Sequence, residues 1–402
     1  MKIFVANCGS SSIKFQLFSM ANETVLAKGV VERVGSPEAN ITLETENGKM
    51  VDVRIDAPDH KEGLKNVLDK LVNSEIGVLA SIDEIEGVGH RVVHGGEDPR
   101  ASDSIKIDAD VIALVEKNTP LAPLHNPANL LGIEAAMAAM PTTTQVAVWD
   151  TAFLSTLPEK AYQYAVPREW YDKYGVRRYG FHGTSHRYVT LRAAEVLDKP
   201  LDEMNIITCH LGNGGSLTAI QGGKAVDHSM GMTPLEGLVM GTRCGDIDPG
   251  IIFYMHSQGF SVEEIDAALN KKAGLLGISA QSNDMRDLLG KAAAGSESAQ
   301  LAVDMFIYRV VKYIGAYYAI LPSVDAVVFT GGIGENSLPV REGVVKMIAS
   351  LGAELDEDRN INTRGGACGP ITANGSKLPV WVIPTNEELM IARDTRRIVA
   401  GG

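Results

Sequence analysis

The chain is short of cysteine, of basic residues and of long apolar runs, and each shortage removes a class of protein. The four cysteines among 402 residues (Cys8, Cys209, Cys244 and Cys368) form no CxxC pair and no zinc-type spacing. They read as free thiols of a reducing cytoplasm, not as a disulfide framework. Lys and Arg number 37 against 50 Asp and Glu, a net charge of −13. A field of that sign repels nucleic acid and anionic membrane, so neither is expected as a partner. The most apolar long stretch, residues 313–333, is interrupted by Pro322 and Asp325 and does not suit a membrane span. One Lys and the short apolar run 3–6 at the N-terminus are too little for a secretory leader. The patterns GxxxxGK[ST], GxGxxG and HExxH and the kinase catalytic-loop pattern are all absent, so any nucleotide is held by another scheme.

What is present is an ordinary globular composition, 45% apolar, in a chain long enough for two domains. Residues 3–18 (IFVANCGSSSIKFQLF) and 206–220 (IITCHLGNGGSLTAI) repeat one device: an apolar β-type run, a turn of Gly, Ser and Asn, then a second apolar run. Small residues at a hairpin tip let backbone N–H groups point outward together, which suits a phosphate. Two such tips predict a duplicated fold that grips one polyphosphate from both sides. Leu64, Val67, Leu68, Leu71 and Val72 have helical spacing. Residues 145–148, 326–329 and 380–383 read as buried strands, and 296–320 as a long helix. Strands alternating with helices predict an α/β architecture. A domain change is expected near Asp150, because the second hairpin needs its own sheet. The segment after Pro384 is too short for a domain and is expected to pack on the first. The domains are then 1–150 with 385–402, and 151–384.

Several side chains suit anion chemistry. The first hairpin carries Asn7, Ser10, Ser12 and Lys14, and FTGGIGENS (329–337) follows a strand and opens a helix. Arg91 in GHRVVHGG and Arg243 in GLVMGTRCGDIDPG sit among apolar residues and glycines. They are either buried salt bridges, to Asp246 or Asp248, or clamps on an anionic ligand. Asp150 and Glu387 stand at strand C-termini, where α/β folds place ligand chemistry, or serve as first-turn helix charges. His182 and His186 in YGFHGTSH have metal-pair spacing but no third ligand. Thr184 or Ser185 as a helix N-cap accounts for that segment, which leaves His182 freer to face a cleft.

Over nearly the whole chain these pieces resemble the acetate kinase family. The resemblance rests on NCGSSSIKF, HRVVHGG, LAPLHNP, WDTAF, RRYGFHGTSHRYV, CHLGNGGS, SMGMTPLEGLVMGTR, FTGGIGENS and IPTNEE, in that order. It implies a duplicated ribonuclease-H-like (actin-like ATPase) α/β fold of two domains with a central cleft, and a cytoplasmic homodimer. It also implies interconversion of ATP plus acetate with ADP plus acetyl phosphate, using Mg²⁺ (or Mn²⁺), in acetyl-CoA biosynthesis. By the same resemblance Asn7 and Glu387 correspond to the metal site and Lys14 to an ATP contact. His210, Leu211, Gly212, Asn213, Gly214, Asp284, Met285, Arg286, Gly332, Ile333, Gly334, Glu335 and Asn336 correspond to nucleotide-binding positions. Arg91 corresponds to the substrate-carboxylate arginine. Val93, Leu124, Phe181 and Pro234 correspond to the pocket around the acetate methyl. Asp150 corresponds to the active-site aspartate, and His182 and Arg243 to transition-state stabilisers. Trp149 stands where the family commonly has Phe, and a larger ring at that strand end bears on how Asp150 is positioned. Cys244 replaces a common Ser, with little consequence expected.

Such chemistry is consistent with the residues. A carboxylate acceptor is already ionised at pH 7, so attack on phosphorus needs no general base, and direct transfer is expected in preference to a phospho-Asp150 intermediate. Propionate- or butyrate-preferring kinases are the near alternatives, since one methylene is worth only ~1–3 kcal/mol. Bulky Val93 and Phe181 favour a small acid, and Gly331–Gly332 leaves room for adenosine in preference to pyrophosphate. An actin- or chaperone-like ATP-driven switch is the alternative of a different class, but no segment remains for a polymer interface or a peptide-binding domain.

Overall fold

The first apolar run forms β1 (Lys2–Gly9) and returns through Ser10 and Ser11 as β2 (Ser12–Ser19), antiparallel from Lys2↔Ser19 to Gly9↔Ser12. The computed structural model describes residues 1–123 and 125–401; Leu124, expected in the acid pocket, lies outside them. The chain forms two compact units, Met1–Phe153 with Asn386–Gly402, and Leu154–Thr385.

The first unit adds β3 (Thr24–Glu32), β4 (Asn40–Thr45), β5 (Gly48–Arg54), β6 (Ile85–Val92), β7 (Ile105–Lys106) and β8 (Thr144–Trp149). They make an eight-stranded sheet in the order β5-β4-β3-β2-β1-β6-β8-β7. The second unit contains β9 (Asn205–Leu211), β10 (Gly215–Gln221), β11 (Lys224–His228), β12 (Ala326–Thr330), β13 (Gly369–Pro370) and β14 (Val380–Val382). Its six-stranded order is β11-β10-β9-β12-β14-β13. Within both sheets, an antiparallel trio continues into two parallel strands: β3-β2-β1-β6-β8 in one, β11-β10-β9-β12-β14 in the other. This repeated order is the duplicated ribonuclease-H-like plan, and the two small-residue hairpin tips occupy the same place in it.

The parallel strands are buried almost throughout, as helix-covered strands must be. In the first unit the Glu387–Val399 helix lies close on β6. A Cβ on Gly89 would sit 2.7 Å from Ile391 Cγ2, so only glycine admits this approach. Asp59 caps the His60–Leu71 helix by accepting from Glu62 N, and its stripe Leu64, Val67, Leu68 and Leu71 is buried, with Val72 already the C-cap. In the second unit the Glu297–Ile320 helix buries Phe306, Val310, Ile314 and Tyr317. No helix among the described residues is long and apolar enough to cross a membrane.

His90 on β6 is buried, and its Nε2 lies 2.8 Å from Gln145 Oε1, which makes that nitrogen the donor. Burial pushes its pKa from 6.5 down to about 4. Below pH 6.5 the unfolded chain therefore takes up a proton that the folded chain refuses, so stability falls as pH drops and is fully present above that value. At about 1.4 kcal/mol per unit, this histidine contributes roughly 3 kcal/mol of acid lability at pH 4. We expect His90→Gln to flatten the pH dependence of urea unfolding between pH 6.5 and 4; an unchanged slope would refute the assignment.

Candidate active site

In the first unit, the parallel register β6–β8 pairs Arg91 with Val148 and Val92 with Trp149. Asp150 extends it by one step, donating its N–H to Val92 O at 2.8 Å. Arg91 Nη2 then donates to Asp150 Oδ2 at 2.9 Å, with Asp150 only 1% exposed. Trp149 is accommodated without disturbing the register. Its ring packs with Val92, Ala101 and Ile107, and its indole donates to Arg100 O at 3.1 Å. Arg91 Nε is buried and has no hydrogen-bond partner. Burial works against the Arg91 charge, but Asp150 and Glu387 outweigh it and raise the guanidinium above its ordinary pKa.

Glu387, the first residue of its helix, follows the N-cap Asn386. Burial pushes its carboxyl up to about 7, with Arg91 pulling the other way and Asp150 adding to the rise. Its Oε1 is buried with no hydrogen-bond partner. Asn7 lies on β1 opposite Lys14, which is exposed on β2. No cluster of three or more His, Cys, Asp or Glu with metal-holding geometry occurs among the described residues. The Asn7 amide oxygen and the Glu387 carboxylate are hard donors, the chemistry that Mg²⁺ takes together with waters and substrate phosphates.

Two residues outside the expected set fix this region. Asn129 Oδ1 accepts from Val93 N at 3.1 Å while its Nδ2 donates to Cys8 O at 3.1 Å, tying β1 to the segment beyond β6. Asn126 accepts from His94 N and donates to His94 O. The only sequence signal is two buried asparagines three apart in HNPAN.

In the second unit, His182 is the N-cap of the Gly183–Val196 helix and has a left-handed backbone, φ 58°. Such conformations cost a non-glycine residue of order 1–3 kcal/mol and concentrate at functional sites. The expected caps Thr184 and Ser185 lie inside that helix instead. Ser185 Oγ is engaged with His210 Nδ1 at 2.7 Å and Thr385 Oγ1 at 2.8 Å. The His182 ring stacks on His210, centroids 4.4 Å apart. His186 is buried and hydrogen-bonded to hydroxyls, not part of a metal pair. A Cβ on Gly214 would lie 3.4 Å from Arg243 Nη1 and 3.6 Å from His182 Nε2. The missing side chain thus leaves a small space framed by a guanidinium and an imidazole.

Arg243 is not in a salt bridge with Asp246 or Asp248. Asp246 is taken by Arg309 and by Tyr313, whose hydroxyl donates to it at 2.9 Å, and Asp248 accepts from Gly250 N. Arg178 meanwhile holds Glu236 at 2.7 Å and the carbonyls of His228 and Met230. These contacts brace residues 228–247 around Arg243, whose guanidinium, among the described residues, meets Pro234 O at 3.5 Å and Met240 Sδ at 3.9 Å. Burial lowers its pKa with no carboxylate to offset the effect.

A cavity of about 830 Å³ lies in the same unit. Gly212, Asn213, Asp284, Met285, Arg286, Gly332, Ile333 and Asn336 line it, together with Asn283, Ser337 and Arg364, which the sequence did not suggest. Asp284 caps its helix, and Arg286 pairs with it and holds its carboxyl down near 2. Other expected positions lie outside this lining. Leu211 is in the core, and His210 lies against Ser185 and His182. Gly334 is buried against β9. The Glu335 carboxylate accepts from Gly331 N, Thr385 N and Thr330 Oγ1, bracing the turn from inside. Of the expected acid-pocket residues, Val93 belongs to the first unit, and Phe181 and Pro234 to the second; Val93 and Phe181 are buried.

The Acetokinase family model matches residues 2–393. The acetate kinase of Halothermothrix orenii is 55% identical over 400 residues, covering 99% of this chain and 100% of that one. Among solved structures, Porphyromonas gingivalis acetate kinase superposes with a TM-score of 0.93 at 48% identity, covering 99% of both chains. A Francisella tularensis propionate kinase gives 0.92 at 42% identity, covering 98% of this chain and 99% of its own.

The Arg91–Asp150 pair has an energetic signature. Arg91→Met leaves the Asp150 carboxylate buried without its cation and should cost on the order of 3 kcal/mol in denaturant unfolding. Adding Asp150→Leu should recover part of the loss. A single variant as stable as the parent would refute the pairing.

Proposed function

Because the chain belongs to the acetokinase family, we propose that it transfers the γ-phosphoryl group of ATP reversibly to acetate, giving acetyl phosphate and ADP. The observation that carries this reading is the space over Gly214, faced by Arg243 Nη1 and His182 Nε2. A guanidinium and an imidazole nitrogen bordering one small volume suit a phosphoryl group whose charge spreads over its equatorial oxygens. Arg243 lacks a carboxylate partner, so it is available to an anion.

Arg91 is assigned to the acetate carboxylate: its Nη2 is held by Asp150 while its Nε has no partner. Asp150 orients that guanidinium and the metal's water shell. Asn7 and Glu387 are the residues we assign to Mg²⁺, on the strength of a buried carboxylate oxygen that nothing in the chain satisfies. The ion, when bound, supplies neutralisation of phosphate charge. Lys14 adds a mobile positive charge, and the 830 Å³ cavity accepts adenosine. No side chain need act as base, and the transfer is direct.

We assign the protein to the cytoplasm as a homodimer. The Gly250–Ser257 helix leaves Phe253 74% and Tyr254 64% exposed, beside exposed Phe260 and Val262. A patch of that kind marks an interface, and a second copy is the partner the family suggests.

A hydroxylamine trap with Mg²⁺ and ATP tests the reaction. Acyl hydroxamate should form best with acetate; a longer preferred acid would keep the mechanism and change the substrate. Phosphate release without any acid would refute acyl transfer. Arg91→Ala and Arg243→Ala should each lower kcat/KM by about 10²–10³. Gly214→Ala should fold normally, since its methyl meets ordinary contact distances, yet lose about 10² in kcat by misplacing the phosphoryl group; near-parental turnover would remove the assignment. Phe253→Asp with Tyr254→Asp should shift sedimentation towards the monomer, and an unchanged assembly would place the interface elsewhere.

A further inference from the structure

Behind His182 the second unit contains polar groups with no role in the reading above. Ser216, the second residue of β10, is fully buried, and its Oγ lies 2.9 Å from His182 Nδ1 and 2.8 Å from His186 Nε2. The other His186 nitrogen, Nδ1, is 2.7 Å from Thr208 Oγ1 on β9. These contacts link the four groups in the order Thr208–His186–Ser216–His182. His186 is fully buried, and burial, with His228 and His210 beside it, holds its pKa well below the ordinary value. Its ring is therefore neutral and carries one N–H.

With His182 neutral as well, proton counting restricts the chain to two arrangements. A neutral imidazole has one donor and one acceptor nitrogen, and a hydroxyl has one hydrogen. If His182 carries its hydrogen on Nε2, its Nδ1 must accept from Ser216. Ser216 must then accept from His186 Nε2–H, and His186 Nδ1 must accept from Thr208. The opposite arrangement reverses all three bonds and puts the His182 hydrogen on Nδ1. No mixed state satisfies every link, and an unsatisfied buried partner is costly. The tautomer of His182 is thus tied to the direction of three bonds, the last of them at Thr208.

We propose that Ser216, His186 and Thr208 are positioning residues that lock His182 as its Nε2–H tautomer, so that a neutral imidazole donates into the space above Gly214. This rests on the role assigned to His182. The arrangement supplies a donor at the phosphoryl group without adding a further buried charge beside Arg243. Ser216 is the pivotal member, because its hydroxyl bridges the two rings.

The test is two-bond ¹H–¹⁵N correlation of the full-length protein with ¹⁵N-labelled imidazoles, free and with MgADP, acetate and aluminium fluoride. His182 signals are assigned by their loss in His182→Gln. The expected pattern is a neutral Nε2–H ring for both His182 and His186. Ser216→Ala should convert His182 to mixed tautomers and lower kcat by about 10–100-fold, with KM values for ATP and acetate within about twofold. Ser216→Thr, which keeps the hydroxyl, should restore the single tautomer. An Nδ1–H ring at His182 in the unsubstituted protein would overturn the proposal. So would an unchanged His182 pattern, or unchanged kcat, in Ser216→Ala. If Ser216→Ala does not fold, the spectrum of the unsubstituted protein decides. Unaltered turnover in His182→Gln would instead remove the role of His182 while leaving the tautomer result standing.

Discussion

Repulsion between anions is the constraint on which the rest of the structure depends. Two unit like charges about 4 Å apart repel by roughly 4 kcal/mol at an effective dielectric near 20, and a chain with net charge −13 adds to the difficulty. In the proposed reaction cations must be present where acetate and ATP meet, and they must not be consumed by the acidic residues that outnumber them. In the site proposed above, the two arginines meet this demand differently. Arg91 shares its charge with Asp150, which fixes its direction and raises its pKa. Arg243 pairs with no carboxylate among the described residues, so its charge is carried at a desolvation cost.

That second solution needs the neighbouring charges to be occupied. Arg178 with Glu236 and Arg309 with Asp246 hold residues 228–247 in place and occupy two acids of the segment that carries Arg243. Sequence alone suggested that Asp246 might pair with Arg243. The competing arginine comes from the Glu297–Ile320 helix, more than sixty positions away, where no local pattern could announce it.

The same division runs through what was legible. The hairpins, the α/β alternation and the buried strands were readable because apolar periodicity and small-residue turns are local signals. The left-handed backbone at His182 was not, since local preference favoured Thr184 or Ser185 as the cap. Asn129 was also hidden: its two bonds reach Val93 and Cys8, which are remote in sequence. Glu335 and Leu211 sit inside site motifs, yet their side chains support the turn from within. A motif marks a segment, whereas the role of each side chain depends on the direction in which folding points it.

The chain order of the two units has a consequence for how this protein is made. The Glu387–Val399 helix belongs to the first unit but follows the whole of the second in sequence. On the ribosome, β6 must wait through the synthesis of residues 154–385 with Gly87 and Gly89 uncovered. Residues 154–385 are contiguous, so the second unit has its whole chain before the first does. A chain terminated before residue 387 lacks both Glu387 and the helix that closes the first sheet.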